Sequence, residues 1–219
     1  MGRWWCPRLW NVVPFGPKVH YEAVTSPRQV QRTPSQEVES SLLRAADAVL
    51  RRDGLSGVTV RAVAAEAGVA PMGVYTRFGS KDGLVDALLI RAIGDFHTAV
   101  SGPEEVDAAE RLKSAGRRYR EWALANRQHY EAIFLARIGL GSAEVAEASM
   151  KAFEELLRRV AYAMETGVFA AGDVVEVAQQ IWNMSHGAVA LELHGLVLTE
   201  DATETYEALL ETCVRAFAP

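Results

Sequence analysis

Aromatic, methionine and histidine side chains in the second half of the chain could bind a small molecule. Such side chains line adaptable apolar pockets, and a few polar groups among them orient a ligand. Trp182 and His186 are one helical turn apart and therefore share a face of a helix. The candidate ligand-binding residues are Tyr119, Trp122, Tyr130, Phe134, Met150, Phe153, Trp182, Ser185 and His186. A place in the core of a helical bundle is the alternative interpretation for each of them.

The sequence lacks the residue spacings that catalysis or metal binding needs. His129 and Glu131 are neighbours but do not share a helical face. His186 and His194 do share one, but about 12 Å of helical rise separates them, which is too far for one metal ion. The segment Gly139–Gly141 follows no strand, and the sequence contains no nucleophile elbow, zinc-protease motif or phosphate loop. We therefore predict that the protein is not an enzyme and has no metal and no cofactor.

Helices must position these residues, because no segment alternates apolar and polar side chains as a strand does. Apolar residues recur with a helical period from Leu42 to Leu50, and this helix is expected to end at Gly54. Asp173 and Asp201, each followed by a glutamate three residues later, resemble capping boxes. Longer helices are predicted near residues 103–125, 127–137, 143–165, 173–197 and 203–216. The predicted fold is all-α, with a three-helix unit at 35–80 and a five- or six-helix bundle at 81–219.

The segment from Thr59 to Phe78 has the length of two short helices joined by a tight turn. Thr59 is a suitable N-cap for the first helix, and Pro71 suits the first position of the second. Gly68 supplies the positive φ that the turn needs. This spacing is that of a helix-turn-helix, which places its second helix in the major groove of DNA. A plain three-helix bundle shows a similar pattern, so the spacing alone leaves both interpretations open.

Charge is distributed unevenly along the chain, whose net charge is −5. Residues 1–90 hold 11 basic and 8 acidic side chains, whereas residues 91–219 hold 12 basic and 20 acidic ones. This asymmetry permits a first half that contacts DNA and an acidic second half. Apolar residues make up 49% of the chain, as in globular proteins, which excludes a wholly disordered chain or a collagen-like fibre.

Cysteine content and hydropathy restrict the compartment. Cys6 and Cys213 lie at opposite ends of the chain, so we predict a reducing, cytoplasmic environment rather than a disulfide-stabilised secreted domain. No window of about 18 apolar residues occurs, which predicts no membrane-spanning helix. Residues 1–34 are rich in proline and lack periodicity, and we expect a disordered tail there. A basic arm that touches DNA is the alternative for this tail.

Several stretches of the first half together resemble the DNA-binding domain of the TetR (tetracycline-repressor) family. They are Leu43 to Ala46, Gly57 to Ala64, Ala67 to Val69 and Val74 to Leu84. A shorter resemblance in the second half is to a TetR C-terminal ligand-binding class of the WHG type, named after its Trp/His-Gly signature. It rests on Trp182 to Gly187, Tyr119 to Ala123 and the pair His129-Tyr130.

The resemblance implies phosphate contacts at Thr59, Tyr75 and Lys81. A helix N-terminus, a phenol and a cation are ordinary partners of phosphate. Packing of the Tyr75 ring at the edge of the core and a solvated Lys81 are the alternatives.

The exposed face of the third helix would read bases. The candidates on it are Met72, Gly73, Thr76 and Arg77. Arg61, at the front of the second helix, is a further candidate, with a plain surface arginine as the alternative. The sequence departs from the family pattern at Ala70, often serine, at Gly73, often threonine or serine, and at Arg77, often histidine or an aromatic residue. These departures affect the base contacts rather than the fold.

The resemblance also implies a homodimeric repressor that binds a palindromic operator in double-stranded DNA. It would release the operator when a small apolar or amphipathic effector enters the bundle. The stretch 187–198 is apolar on more than one face, and with the last helix it is a candidate dimer seam. A helix buried within one subunit is the alternative interpretation. The alternative function is a helical small-molecule binding or carrier protein without specific DNA recognition. Polar residues retained at Thr59, Tyr75, Arg77 and Lys81 favour the regulator.

Overall fold

The computed structural model describes residues 35–102, 107–136 and 141–219, and all regular structure in these ranges is helical. The helices are α1 Ser35–Gly57, α2 Val60–Ala67, α3 Pro71–Phe78, α4 Lys81–Ser101, α5 Ala108–Ala125, α6 Arg127–Tyr130, α7 Ala143–Glu165, α8 Val174–Leu193 and α9 Ala202–Ala216. A π-helical turn, Glu131–Leu135, continues α6. The predicted all-α fold is confirmed, while the tail predicted for residues 1–34 lies outside the described residues.

The helices α1, α2 and α3 together form what we call the head. Residues close to the ends of these helices determine where they begin and end. Gly54 has φ 71° and kinks α1, so the helix continues for one distorted turn beyond the predicted end. Oγ1 of Thr59 accepts a hydrogen bond from the N–H of Ala62 at 3.1 Å, a cap that stabilises a helix by about 1 kcal/mol. Gly68 ends α2 with φ 67°, and Pro71 occupies the first turn of α3, both as predicted.

One apolar core packs the head against the beginning of α4. Its largest fully buried side chains are Leu42, Val49, Leu50, Val58, Val63, Val74, Leu84, Leu88 and Leu89. Val74 is the only fully buried residue of α3, and the half-buried Phe78 packs against the same core at the end of the helix. The rest of α3 is therefore left for contacts outside the chain.

The helices α4 to α9 form the bundle, in which short-range caps again fix the helix starts. Asp173 and Asp201 each accept two backbone N–H hydrogen bonds at the beginning of α8 and α9, which confirms the predicted caps. The prediction that α8 extends to residue 197 is wrong, because the helix ends at Leu193 and Gly195 follows with φ 69°. None of the described helices combines the length and apolar character needed to cross a membrane.

Candidate DNA-binding surface and ligand cavity

The outer face of α3 exposes the side chains that were predicted to read bases. Met72 is 70% exposed, and Gly73 and Thr76 are exposed beside it. The Thr76 hydroxyl donates to the Met72 carbonyl at 2.8 Å, which turns its methyl group outward from the helix backbone. A Cβ added at Gly73 would meet only the Val69 side chain, at 3.9 Å. The described residues around Gly73 would therefore accommodate a larger side chain, and glycine leaves the surface of α3 without a side chain at this position.

Two of the three residues predicted to contact phosphate lie at helix N-termini, whereas the third, Tyr75, lies within α3 and is 46% exposed. Thr59 stands at the N-terminus of α2, and Lys81 is the exposed first residue of α4. The Thr59 oxygen accepts a hydrogen bond from its own helix, which leaves its hydroxyl hydrogen available to a phosphate. Arg61 is exposed on α2. These positions suit an anion, because helix N-termini carry partial positive charge.

Arg77 is placed differently from the other predicted base-reading residues. Its guanidinium forms an ion pair with Glu39 on α1, and its side chain is mostly buried. A contact between Arg77 and DNA would have to compete with this pair. Its role in base reading stays a prediction.

The bundle contains a partly open cavity of about 780 Å³, which is large enough for a drug-sized molecule. Seven of the predicted ligand-binding residues line it, namely Tyr119, Phe134, Met150, Phe153, Trp182, Ser185 and His186. Trp122 and Tyr130 are not among the lining residues. Trp122 packs on Phe96 with the ring centres 5.0 Å apart, and Tyr130 is fully buried.

Two tyrosines and a histidine form a polar cluster at this cavity, in which Tyr119 and His186 line the wall and Tyr130 does not. The Tyr130 hydroxyl lies 2.7 Å from Nδ1 of His186, and the Tyr119 hydroxyl lies 3.0 Å from the same atom. Burial raises the pKa of Tyr130 to about 12 and raises that of Tyr119 further. Burial also lowers the pKa of His186. All three groups are therefore uncharged at neutral pH.

Comparison with known proteins agrees with both halves of this architecture. Residues 42–88 match the family model for bacterial regulatory proteins of the tetR family, and residues 112–213 match that for the tetracyclin repressor-like C-terminal domain. Together the two matches span more than half of the chain. The chain belongs to the TetR family. It is thus a ligand-responsive, DNA-binding transcriptional regulator, and regulators of this family generally have no enzymatic activity.

Individual relatives of this TetR-family chain are distant. It is 29% identical to the tetracycline repressor protein class A from transposon 1721 of Escherichia coli over 156 residues, covering 71% of this chain and 67% of the repressor. A Rhodococcus protein of unknown function is 25% identical, with a TM-score of 0.78 over 87% of this chain and 100% of that one. A Vibrio parahaemolyticus TetR-family protein is 20% identical, with a TM-score of 0.67 over 82% and 98%, and shows the fold alone.

Sequence reasoning missed a contact between the head and the bundle of this TetR-family regulator. Nε2 of His129, on α6, lies 2.6 Å from Oδ1 of Asp47 on α1, although the two residues are 82 positions apart. His129 is buried, and Arg51 donates to the other oxygen of Asp47 at 2.9 Å. Burial acts to raise the pKa of Asp47, but hydrogen bonds with Arg51 and His129 hold it below its usual value. Asp47 is therefore ionised at neutral pH.

Several cavity-lining residues were also missed. They include Ile93, Phe96, Leu112, Leu156, Gln179 and Leu210. A helical spacing of three between Ile93 and Phe96 indicates a shared face, but it does not indicate whether that face meets a core or a cavity.

Proposed function

We propose that the protein is a repressor that binds a palindromic operator as a homodimer and releases it when a small apolar molecule occupies the cavity. The observation that carries the DNA-binding part is the exposure of α3. Only Val74 of this helix is buried. Met72, Gly73 and Thr76 are exposed on it, in the place from which a recognition helix contacts base edges in the major groove. Val69, Met72 and Tyr75, spaced three residues apart, are all exposed, and exposed apolar side chains that cluster mark an interaction surface.

The dimer part of the proposal rests on apolar surface near the end of α8. Leu191 is exposed on this helix, and Leu196 and Leu198 are exposed just after it, Leu198 to 98%. On α9, Ala208 and Thr212 are exposed one turn apart, so backbones could approach closely there. A twofold interface would cover such a surface with its own copy and would present two α3 helices to successive turns of DNA.

The release part of the proposal rests on α6. His129 contacts the head through Asp47, while the adjacent residue, Tyr130, holds His186 in the cavity wall. A ligand that displaces His186 would shift Tyr130 and therefore change the position of His129 against α1. A coupling free energy of about 1–3 kcal/mol between the two sites would suffice for regulation. An operator-binding role also accounts for the cytoplasmic location that we propose.

Selection of DNA from a random library tests this function. The selected duplex and a shuffled duplex of equal composition would be titrated by fluorescence anisotropy, with the mass of the complex measured in parallel. We expect a preference of about 10³-fold or more for the selected duplex, with two chains bound. The logarithm of the affinity should fall steeply and linearly with the logarithm of salt concentration. Failure of the selection, or equal affinity for both duplexes, would contradict the proposal.

A further inference from the structure

The polar atoms that line the cavity are nearly all bonded within the protein. The Ser149 hydroxyl donates to the Val145 carbonyl, and the Gln179 amide donates to Asn183. Nδ1 of His186 lies within hydrogen-bond distance of the two tyrosine hydroxyls and is therefore engaged within the protein. Among the described residues, none forms a hydrogen bond with Nε2 of His186, so this atom is available to a ligand beside the aromatic rings of the cavity.

The hydrogen-bond pattern decides which nitrogen of His186 carries the proton. Tyr119 can donate to Tyr130 at 3.3 Å, and Tyr130 can then donate to Nδ1 at 2.7 Å. If Nδ1 carried the proton instead, the Tyr130 hydroxyl would need the His186 carbonyl, which is 3.4 Å away. The first arrangement satisfies both phenols with the shorter contacts. It assigns the proton to Nε2, which is then a hydrogen-bond donor.

The charged residues of the cavity wall favour an uncharged ligand. Lys113 forms an ion pair with Glu211 at 2.6 Å. Glu155 forms ion pairs with Arg158 and Arg159, and Arg159 also donates to the carbonyl of Ser101 at 2.9 Å. Each of these charges already has a partner in the protein. A charged ligand would lose its hydration without gaining a counter-ion, which is costly in a site of low polarity.

Aromatic rings surround the position of His186. Phe134 and Trp182 lie with their ring centres 5.5 and 5.6 Å from that of His186, and Phe153 lies 5.8 Å from Trp182. Edges and faces of rings at such distances pack well against another aromatic ring. The cavity therefore offers aromatic walls around one hydrogen-bond donor.

We propose that the effector is an uncharged aromatic molecule whose carbonyl oxygen accepts a hydrogen bond from Nε2 of His186. This inference rests on the proposed function, because it assumes that the cavity is the effector site. It goes further by excluding carboxylates, ammonium compounds and plain hydrocarbons as the preferred class. The carbonyl is what distinguishes this class from the apolar effectors that the cavity size alone would admit.

Three probes of equal ring content test the proposal on the full chain by isothermal titration calorimetry. They are benzophenone, which carries a carbonyl, diphenylmethane, which lacks it, and diphenylacetate, which is an anion. We expect benzophenone to bind about tenfold more tightly than diphenylmethane, because the hydrocarbon leaves the imidazole N–H without a partner. Diphenylacetate should bind at least about 100-fold more weakly than benzophenone. Equal affinities for benzophenone and diphenylmethane, tightest binding of diphenylacetate, or no binding of any probe would overturn the proposal.

Variants at His186 identify the donor. His186→Phe keeps a ring but removes the N–H, so the preference for benzophenone over diphenylmethane should disappear while diphenylmethane still binds. His186→Gln restores an N–H at a similar distance along the side chain and should recover part of the preference. His194→Phe is the matched control, since His194 is exposed at the end of α8. A preference that survives in His186→Phe would contradict the role of His186.

Failure of this inference can be told apart from failure of the proposed function. Benzophenone is a photochemical cross-linker, so irradiation of the complex followed by mass spectrometry shows which residues it reaches. Adducts in the cavity without the expected preference would overturn the ligand class but leave the cavity as a binding site. Specific DNA binding is measured without any probe, and its absence would overturn the proposed function alone.

Discussion

The head and the bundle place their polar side chains in opposite ways. Tyr75 is exposed on the head, and Lys81 is exposed at the first residue of α4, directly after the head. In the bundle, Glu155 and Arg159 are buried against each other, and Tyr130 is buried against His186. Exposed polar groups contribute little to folding, whereas buried ones must be satisfied for the fold to persist. The same residue types therefore serve an external partner in one region and hold the structure in the other.

The largest effect on stability is expected from Arg159→Met in the bundle. This change leaves the buried carboxylate of Glu155 without its main partner and also removes hydrogen bonds to the carbonyls at the end of α4. The free energy of unfolding should fall by about 3–5 kcal/mol. Urea denaturation at fixed protein concentration measures it.

Arg158→Met is the neighbouring control for this change. Arg158 pairs with the same carboxylate, but its side chain is largely exposed, so the loss should be at most about 1 kcal/mol. Equal losses for the two variants would show that burial does not distinguish the bundle charges from surface ones.

A large effect on DNA affinity with little effect on stability is expected from the double variant Tyr75→Phe, Lys81→Ala, which changes α3 and the first residue of α4. Each copy of a dimer loses two contacts to phosphate, so the affinity for the selected duplex should fall about 100-fold. The salt dependence should become shallower by about two units, one for each lysine. Anisotropy titrations over a range of salt concentrations measure both.

Lys151→Ala provides the control for charge, because Lys151 is exposed on α7 in the bundle. It should leave the DNA affinity almost unchanged. If it weakens binding as much as the double variant does, net charge rather than the head accounts for DNA binding.

A smaller effect is expected where the head and the bundle meet. Asp47→Ala leaves buried Nε2 of His129 without its partner and should lower the free energy of unfolding by about 1–2 kcal/mol at pH 6. Because the pKa of Asp47 is lowered in the folded protein, its contribution is present above the unfolded pKa of about 4. The difference between the variant and the wild type should therefore shrink as the pH falls through 4.

Asp95→Ala, on an exposed turn of α4, is the control for this pH dependence. It should show neither the loss at pH 6 nor the convergence at low pH. A stability difference for Asp47→Ala that grows as the pH falls would contradict a contact that depends on the ionised carboxylate of Asp47.

The smallest effect on stability is expected from Gly73→Ala. This change should stabilise the fold but weaken DNA binding. Alanine fits the exposed position without a clash and favours a helix, so stability should rise by about 0.5–1 kcal/mol. On a face that approaches DNA closely, the added methyl group should weaken binding a few-fold. Thermal unfolding and anisotropy give the two values. An increase in both stability and DNA affinity would mean that residue 73 of α3 does not lie against DNA.

Much of the fold could be predicted because its signals are local. Thr59, Gly68, Asp173 and Asp201 act within one helical turn, so sequence alone located the helix ends near them. Gly195 carried an equally local signal, which the apolar run after Gly187 concealed, and α8 was consequently predicted too long. Helix existence and type thus followed from short-range chemistry.

The candidate site was only partly predictable because its key contacts are long-range. Tyr130 and His186 are 56 residues apart, and no spacing rule indicates that their side chains meet. The i, i+4 spacing of Glu155 and Arg159 indicates an ion pair, but not that the pair is buried beside the end of α4. Such contacts form only when several helices pack together. The sequence could therefore predict which residue types line a pocket, but not which side chains they contact.

Hydroxyl-radical footprinting of the selected duplex tests the central claim most directly, because it shows how the head meets DNA. Two copies of α3 in successive major grooves should protect two backbone stretches, related by a twofold axis and separated by about one helical turn or a multiple of it. Benzophenone or another cavity ligand that acts as the effector should abolish both protections together. A single protected stretch, or protection that follows the same pattern on a shuffled duplex, would contradict a dimeric, sequence-specific regulator.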